Sequence, residues 1–348
     1  MTGEMTRLRV VAAGAALALA AALSACDSGS APAQGQDTSA QSGSGGGLLS
    51  VAQAELAARQ WWSQNEQALV RRDGPLLGQL DATPLSDVVG HAASVSAAIG
   101  RPLLASPRQP SAVRVYVPAE QSFPLHVLAV FDVATTGKTA TFDRVAEMFV
   151  QRSASAPFVA EQSVVLDGPE PRFVTDSNGL VHTVDSAAQA TTLRRRAADL
   201  PAQFDAYMDG VAHGQPPPGA AAFAPGKHTS DIADADATYL RTATTRSNGS
   251  ISSVDLGYLA VDVAAPVFAV AGGGGFTMFA VQRTETLHPA SGQLFVQDAA
   301  RHNFGVDLAP GQYQQITVQS VVLVAALMPE GGGPVEVLGA GGGAVAEG

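Results

Sequence analysis

The chain has 348 residues, a net charge of −11, 46% hydrophobic residues and a single cysteine. That length admits one large domain or two ordinary ones, and the lone Cys26 excludes an internal disulfide. An acidic chain has no long-range attraction for nucleic acid or anionic headgroups, so no nucleic-acid partner is expected.

Arg7 and Arg9 precede a 14-residue apolar run, Val10 to Leu23. The run is shorter than the roughly 20 residues that span a bilayer, so it reads as a secretory signal with a basic start, an apolar centre and a small-residue processing site. The signal ends Leu23-Ser24-Ala25-Cys26. These residues match a lipobox, and here the sequence resembles a bacterial lipoprotein precursor. The resemblance implies cleavage between Ala25 and Cys26, a diacylglyceryl thioether on Cys26, and a membrane partner reached through that lipid, on the outer face of the cytoplasmic membrane. Residues 1–25 are then a removed signal, whose net +1 leaves the mature chain near −12. Residues 26–47 carry the lipidated cysteine and a Gly/Ser/Gln-rich tether with nothing able to seed a core. Twenty-one tether residues reach about 25 Å as a flexible coil.

The first α+β domain is expected over 48–185. Ser50 and Gln53 form a capping box, opening a helix to about Arg72 on which Ala54, Ala58, Trp61, Trp62 and Leu69 fall at helical steps. Asp73-Gly74-Pro75 should end it, and Thr83-Pro84 should open a second helix running to about Gly100. Strands follow at Val113–Val117, His126–Val133, Arg144–Val150 and Phe158–Leu166. Helices followed by a strand meander indicate an α+β unit.

The second α+β domain is expected over 186–338. Residues 187–212 read as helix, with two short helices or a kink expected at Pro201. Strands follow at Ser253–Val263, Phe276–Leu287, Leu294–Gln297, Tyr313–Met328 and Val335–Leu338, and 339–348 reads as a flexible Gly-rich tail. Gln162-Ser163-Val164-Val165-Leu166 recurs as Gln319-Ser320-Val321-Val322-Leu323, in what should be the last long strand of each half. The repeat suggests tandem duplication of one fold.

Met148-Phe149-Val150, Ala156-Pro157-Phe158 and Val164-Val165-Leu166 together look like the final hairpin of a cystatin-like or NTF2-like fold. The resemblance implies two tandem domains, each with N-terminal helices packed on a curved antiparallel sheet. The stretches Phe276–Leu287 and Leu308–Tyr313 resemble a group of actinobacterial lipoproteins with the same two-part layout, and that group supplies no activity or catalytic residues to transfer. The fold hosts enzymes and binding modules alike.

Chemistry-bearing residues are scattered. Asp231, Asp234 and Asp236 lie within six residues but lack the glycine and terminal glutamate of an EF-hand loop. No two of the seven histidines stand at i, i+4, and Gly272–Gly275 precedes a strand where a phosphate cradle needs a helix. No cofactor and no metal are expected. His126 and Asp132 share a strand at even spacing, which puts them on one face, so a cone-shaped cavity could use them as an acid–base pair. Trp61 and Trp62 diverge by about 100° on a helix, so one ring could line a pocket. The expected function is a lipid-anchored, non-catalytic binding or scaffold module of the cell envelope, with an envelope protein or small ligand as partner. The alternatives are a solute-binding lipoprotein of a transporter and a pocket enzyme using His126 and Asp132.

Overall fold

A computed structural model describes residues 49–100, 102–134, 142–184, 190–215, 222–261, 266–296, 308 and 310–347. The signal, Ala25, Cys26 and the tether lie outside the described residues.

Ser50 caps the first helix, α1 (Val51–Arg71), through the reciprocal Ser50–Gln53 pair. Arg72 ends α1 in the left-handed conformation. The Asp73-Gly74-Pro75 stop is also a start: Asp73 caps a short helix, α2 (Gly74–Leu80), with Pro75 in its first turn. The third helix, α3 (Leu85–Ile99), ends at Gly100 with positive φ. Four strands follow, β1 (Pro110–Tyr116), β2 (Leu125–Ala134), β3 (Phe142–Gln151) and β4 (Val159–Leu166), joined in sequence order as one antiparallel sheet.

The second half opens on α4 (Ala190–Ala212), which carries Pro201 inside an unbroken helix and is not divided there. Next comes α5 (Ser230–Arg246), a helix the sequence reading left out. It absorbs Asp231, Asp234 and Asp236. The strands are β5 (Ile251–Val261), β6 (Phe268–Ala269), β7 (Gly275–Pro289), β8 (Leu294–Val296), β9 (Gly311–Tyr313), β10 (Ile316–Met328) and β11 (Glu336–Glu347). The larger sheet runs β11-β10-β7-β5, with β6 beside β7, while β8 and β9 pair separately. Residues 339–347, expected as a flexible tail, are therefore most of a ladder strand on β10.

Each half thus reads helices, then a four-strand meander, in which β1, β2, β3 and β4 match β5, β7, β10 and β11 in order. The repeated pentapeptide does not follow this match. Its first copy lies on β4, the fourth strand, and its second on β10, the third. The architecture supports the idea of duplication better than the sequence repeat does.

Strand register sorts the core into layers. On one face of the first sheet, Phe131 and Phe149 meet Trp61 and Trp62 of α1 at ring distances of 4.5–6.4 Å. The alternate residues Leu128, Val130, Ala146 and Met148 join Phe276, Met278, Ala280, Leu323 and Ala325 of the second sheet in one core cluster. The opposite face of the second sheet, with Phe279, Val281, Val324 and Ala326, packs on Phe204, Tyr207 and Met208 of α4. The layers run helix, sheet, sheet, helix, and the two halves share a core.

The halves are fastened at the edge by glycine. A Cβ on Gly339 would lie 2.2 Å from the Val165 carbonyl oxygen of β4, and one on Gly341 would lie 3.2 Å from that of Ser163. Only the bare backbone of β11 fits against β4. Leu338 also accepts the Asp167 amide at 2.7 Å. Asp167 then reaches Lys227 at 2.8 Å and the buried His228 at 2.6 Å, both in the second half.

Candidate functional site

The helix–sheet interior of the first half is filled. Both tryptophans are buried. Trp61 Nε1 donates to the Leu80 carbonyl at 3.0 Å and to Asp81 Oδ1 at 3.2 Å. Trp62 Nε1 donates to the Arg108 carbonyl, and the Arg108 guanidinium sits 5.7 Å from the Trp62 ring centroid. Neither indole lines an opening. They fill the space between α1 and the sheet, as large amphipathic rings with one polar atom to satisfy do.

Three carboxyls are buried beside them. Glu66 is held by Arg108, whose guanidinium and backbone amide both donate to it. Asp81 and Glu147 have no such cation. Burial pushes the Asp81 carboxyl up to about 7 against the pull of Trp61, and also raises Glu147 well above its ordinary value against the pull of Ser163, with the Asp81 charge adding to it when Asp81 is ionised. Ser163 donates to Glu147 Oε1 at 2.7 Å, while Asp81 Oδ2 and Glu147 Oε2 have no hydrogen-bond partner. Burial in a packed interior favours the neutral form of both.

The second half buries a different network, between α5 and its sheet. Arg283 of β7 donates to Asp236 of α5 at 3.2 Å and to Glu285 at 3.0 Å. Tyr258 donates to Asp236 and Tyr239 to Glu285, each at 2.6 Å. Burial works against the Arg283 charge, but the two carboxylates outweigh it and its pKa is raised. Burial first, and then the same carboxylates, push both tyrosines well above their ordinary range. Asp236, weighed above with Asp231 and Asp234 as a calcium ligand, instead pairs an arginine.

His126 and Asp132 do share a face of β2, in unbroken register with β3. Six residues of strand separate them by about 20 Å, however, and the structure does not bring them together. Asp132 takes both Arg114 Nη atoms at 2.8 Å, which holds its carboxyl below the usual range, with Arg144 adding to this. Arg114 also donates to Glu170 at 2.6 Å, and Tyr116 donates to the same carboxylate. His126 lies beside Glu161, at 3.8 Å. Burial and the Arg152 charge hold its imidazole down at about 4, so the ring is neutral near pH 7. The pair forms no acid–base device.

An open cleft of about 480 Å³ lies where the halves meet, lined by Ser86, Asp87, Gly90 and His91 of α3, Gln319 of β10, and Val345 and Ala346 of β11. His91 Nε2 comes within 3.1 Å of Glu347 Oε2. The sequence reading missed this place. Asp87 and His91 carry the one local signal, an i, i+4 spacing on a helix; their meeting with β11 is long-range and leaves no trace in either segment. Gln319 of the repeated pentapeptide lines the cleft, whereas its counterpart Gln162 is wholly buried.

Among the described residues no group of three His, Cys, Asp or Glu side chains is arranged to hold a metal ion, and no helix is long and apolar enough to cross a membrane.

The fold and cleft define a mixed α+β protein of two antiparallel sheets packed between helical layers. A family model described as a domain of unknown function, DUF8094, matches residues 45–348, and the chain belongs to that family. One model spans both halves. Comparison with curated proteins and with solved structures yields no match.

Proposed function

We propose that this is a lipid-anchored protein of the bacterial cell envelope that works by binding a partner rather than by catalysis, built from two cystatin-like or NTF2-like halves set sheet against sheet. The observation that carries the reading is the filled interior. An NTF2-like enzyme works in the space between helix and sheet. Here Trp61, Trp62, Phe131 and Phe149 occupy it in one half, and Phe204, Phe223 and Phe279 in the other. The cleft at α3 and β11 is left as the recognition surface.

The anchor rests on Leu23-Ser24-Ala25-Cys26. Two acyl chains on Cys26 hold a protein stably where one is marginal, and the tether keeps the folded part about 25 Å from the membrane. Cys26→Ala should release the chain from membranes or leave it unprocessed. Wild-type membrane retention with an unmodified Cys26 overturns the anchor. Native mass spectrometry of the chain isolated from an actinobacterial host tests the binding role. A reproducible extra mass supports it, and a bare chain without ligand or partner overturns it.

A further inference from the structure

We propose that the short helix α2 is a proton-held flap, closed on the first sheet while Asp81 is protonated and opened by local unfolding when Asp81 ionises.

Asp81 stands where three elements meet. It ends α2, it pairs with Ala160 of β4 in a parallel bridge, and its Oδ1 accepts from Trp61 of α1 at 3.2 Å. The next residue, Ala82, donates to the Ala160 carbonyl at 2.7 Å. Asp81 is 5% exposed, and its Oδ2 has no hydrogen-bond partner.

The charged groups on the surrounding elements offer it no counter-charge. On α1, Glu66 is taken by Arg108. On β3, Glu147 is a second buried acid, which accepts from Ser163 of β4 and feels the Arg108 charge too weakly to offset its burial. On β4, Glu161 lies beside His126 and Arg152. On α3, Asp87 is exposed and lies 3.5 Å from the Thr83 hydroxyl. At the far end of α2, Asp73 caps the Leu76 amide. Among the described residues no cation pairs with Asp81 or Glu147. A carboxylate formed at Asp81 is therefore a buried charge with an acid for a neighbour, and such a charge is relieved by water.

The element that can admit water is α2. It has seven residues, with Gly78 in its interior, and glycine is the weakest helix former after proline. Its Leu77 rests on a small satellite cluster with Ala68 and Ala93, and only Leu80 joins the main core of the first half. Segments with so few buried apolar contacts open before the core does. The closed flap holds one proton more than the open one. Opening therefore grows as pH rises from the ordinary carboxyl value of 3.8 to about 7, and it levels off beyond.

Hydrogen exchange read by mass spectrometry tests this on the full chain in neutral detergent, with exchange times scaled for the intrinsic rate at each pH. Amides from Leu76 to Ala82 should open about 50- to 100-fold more at pH 8 than at pH 5. Those of β10, inside the larger sheet, should keep their protection. Asp81→Asn should remove the pH dependence of α2. Gly78→Ala, whose Cβ would meet nothing within 4 Å, should keep that dependence while reducing opening about fivefold at every pH. This second variant tests the flap even where Asp81→Asn does not fold. Protection of α2 that ignores pH, loss of protection in β10 in step with α2, a pH dependence that survives in Asp81→Asn, or α2 protection unchanged in Gly78→Ala overturns the proposal.

Discussion

Asp81→Asn should stabilise the protein, by an amount that grows as pH rises from about 4 and levels off above about 7. The Asp81 carboxyl sits at the end of α2, buried against Trp61, and titrates at about 7 where its ordinary value is 3.8. A group whose folded pKa is raised contributes its full stability at pH values below the unfolded value and loses it as pH rises through the folded one. At 1.36 kcal/mol per pKa unit, ionising the buried carboxyl costs the fold about 4 kcal/mol by the time the pH has passed well above 7. That is a large share of the 5–15 kcal/mol typical of a domain. Asparagine keeps the oxygen that accepts from Trp61 Nε1 and never ionises. Urea unfolding followed by tryptophan fluorescence is a direct assay, because both tryptophans of the chain report from this core. Below about pH 4 the two proteins should unfold at similar urea concentrations, and the gap should open steadily between pH 4 and 7. At pH 8 to 9 the variant should be more stable by up to about 4 kcal/mol. Glu147 has the same sign and is present in both, so the difference reports Asp81 together with its coupling to Glu147. An equal pH dependence in the two proteins would refute the reasoning, because it would mean that water reaches the carboxyl.

His126 supplies the opposite limb. Its imidazole is held at about 4 against an ordinary 6.5, so the unfolded chain takes up the proton first and stability falls as pH drops from 6.5 towards 4. His126→Gln should flatten this limb, read as the melting temperature at pH 4.5 against pH 7. Gly339→Ala should cost at least 1–3 kcal/mol in chemical unfolding, since its Cβ would meet the Val165 carbonyl at 2.2 Å. Gly257→Ala on β5, with nothing within 4 Å, should be neutral or stabilising by about 0.5 kcal/mol; equal losses at both positions would mean that the close approach of β11 to β4 does not form.

What was legible in the sequence was local. The capping box at Ser50 and the period-two runs of β1 to β4 are written in neighbouring residues, and the strands fall where the alternation put them. Three elements were misread for identifiable reasons. Pro201 predicts two short helices or a kink, and α4 runs through it as one helix, held by the packing of Leu200, Phe204 and Met208 on the second sheet. The helix α5 is rich in Ala, Asp and Thr, so its apolar stripe is thin; its anchors are Tyr239 bonded to Glu285 and Asp236 bonded to Arg283, both partners lying on a distant strand. The segment after Leu338 looks like a tail because glycine normally weakens a strand, and only the backbone of β4, far away in sequence, explains why side chains are missing there. The cleft was invisible for the same reason, since α3 and β11 supply its walls from opposite ends of the folded part.

The placement of β11 also sets an order of assembly. It is the last strand along this sequence, and it closes on β4 and α3, which come early in the folded part. A chain that emerges N-terminus first exposes the edge of β4 while most of its length is still to come. The first half can collapse around its aromatic centre, but its border stays open until β11 arrives. Long-range closures of this kind are slow steps in folding. Any cut between β4 and β11 would leave that edge uncovered, able to pair with another strand instead.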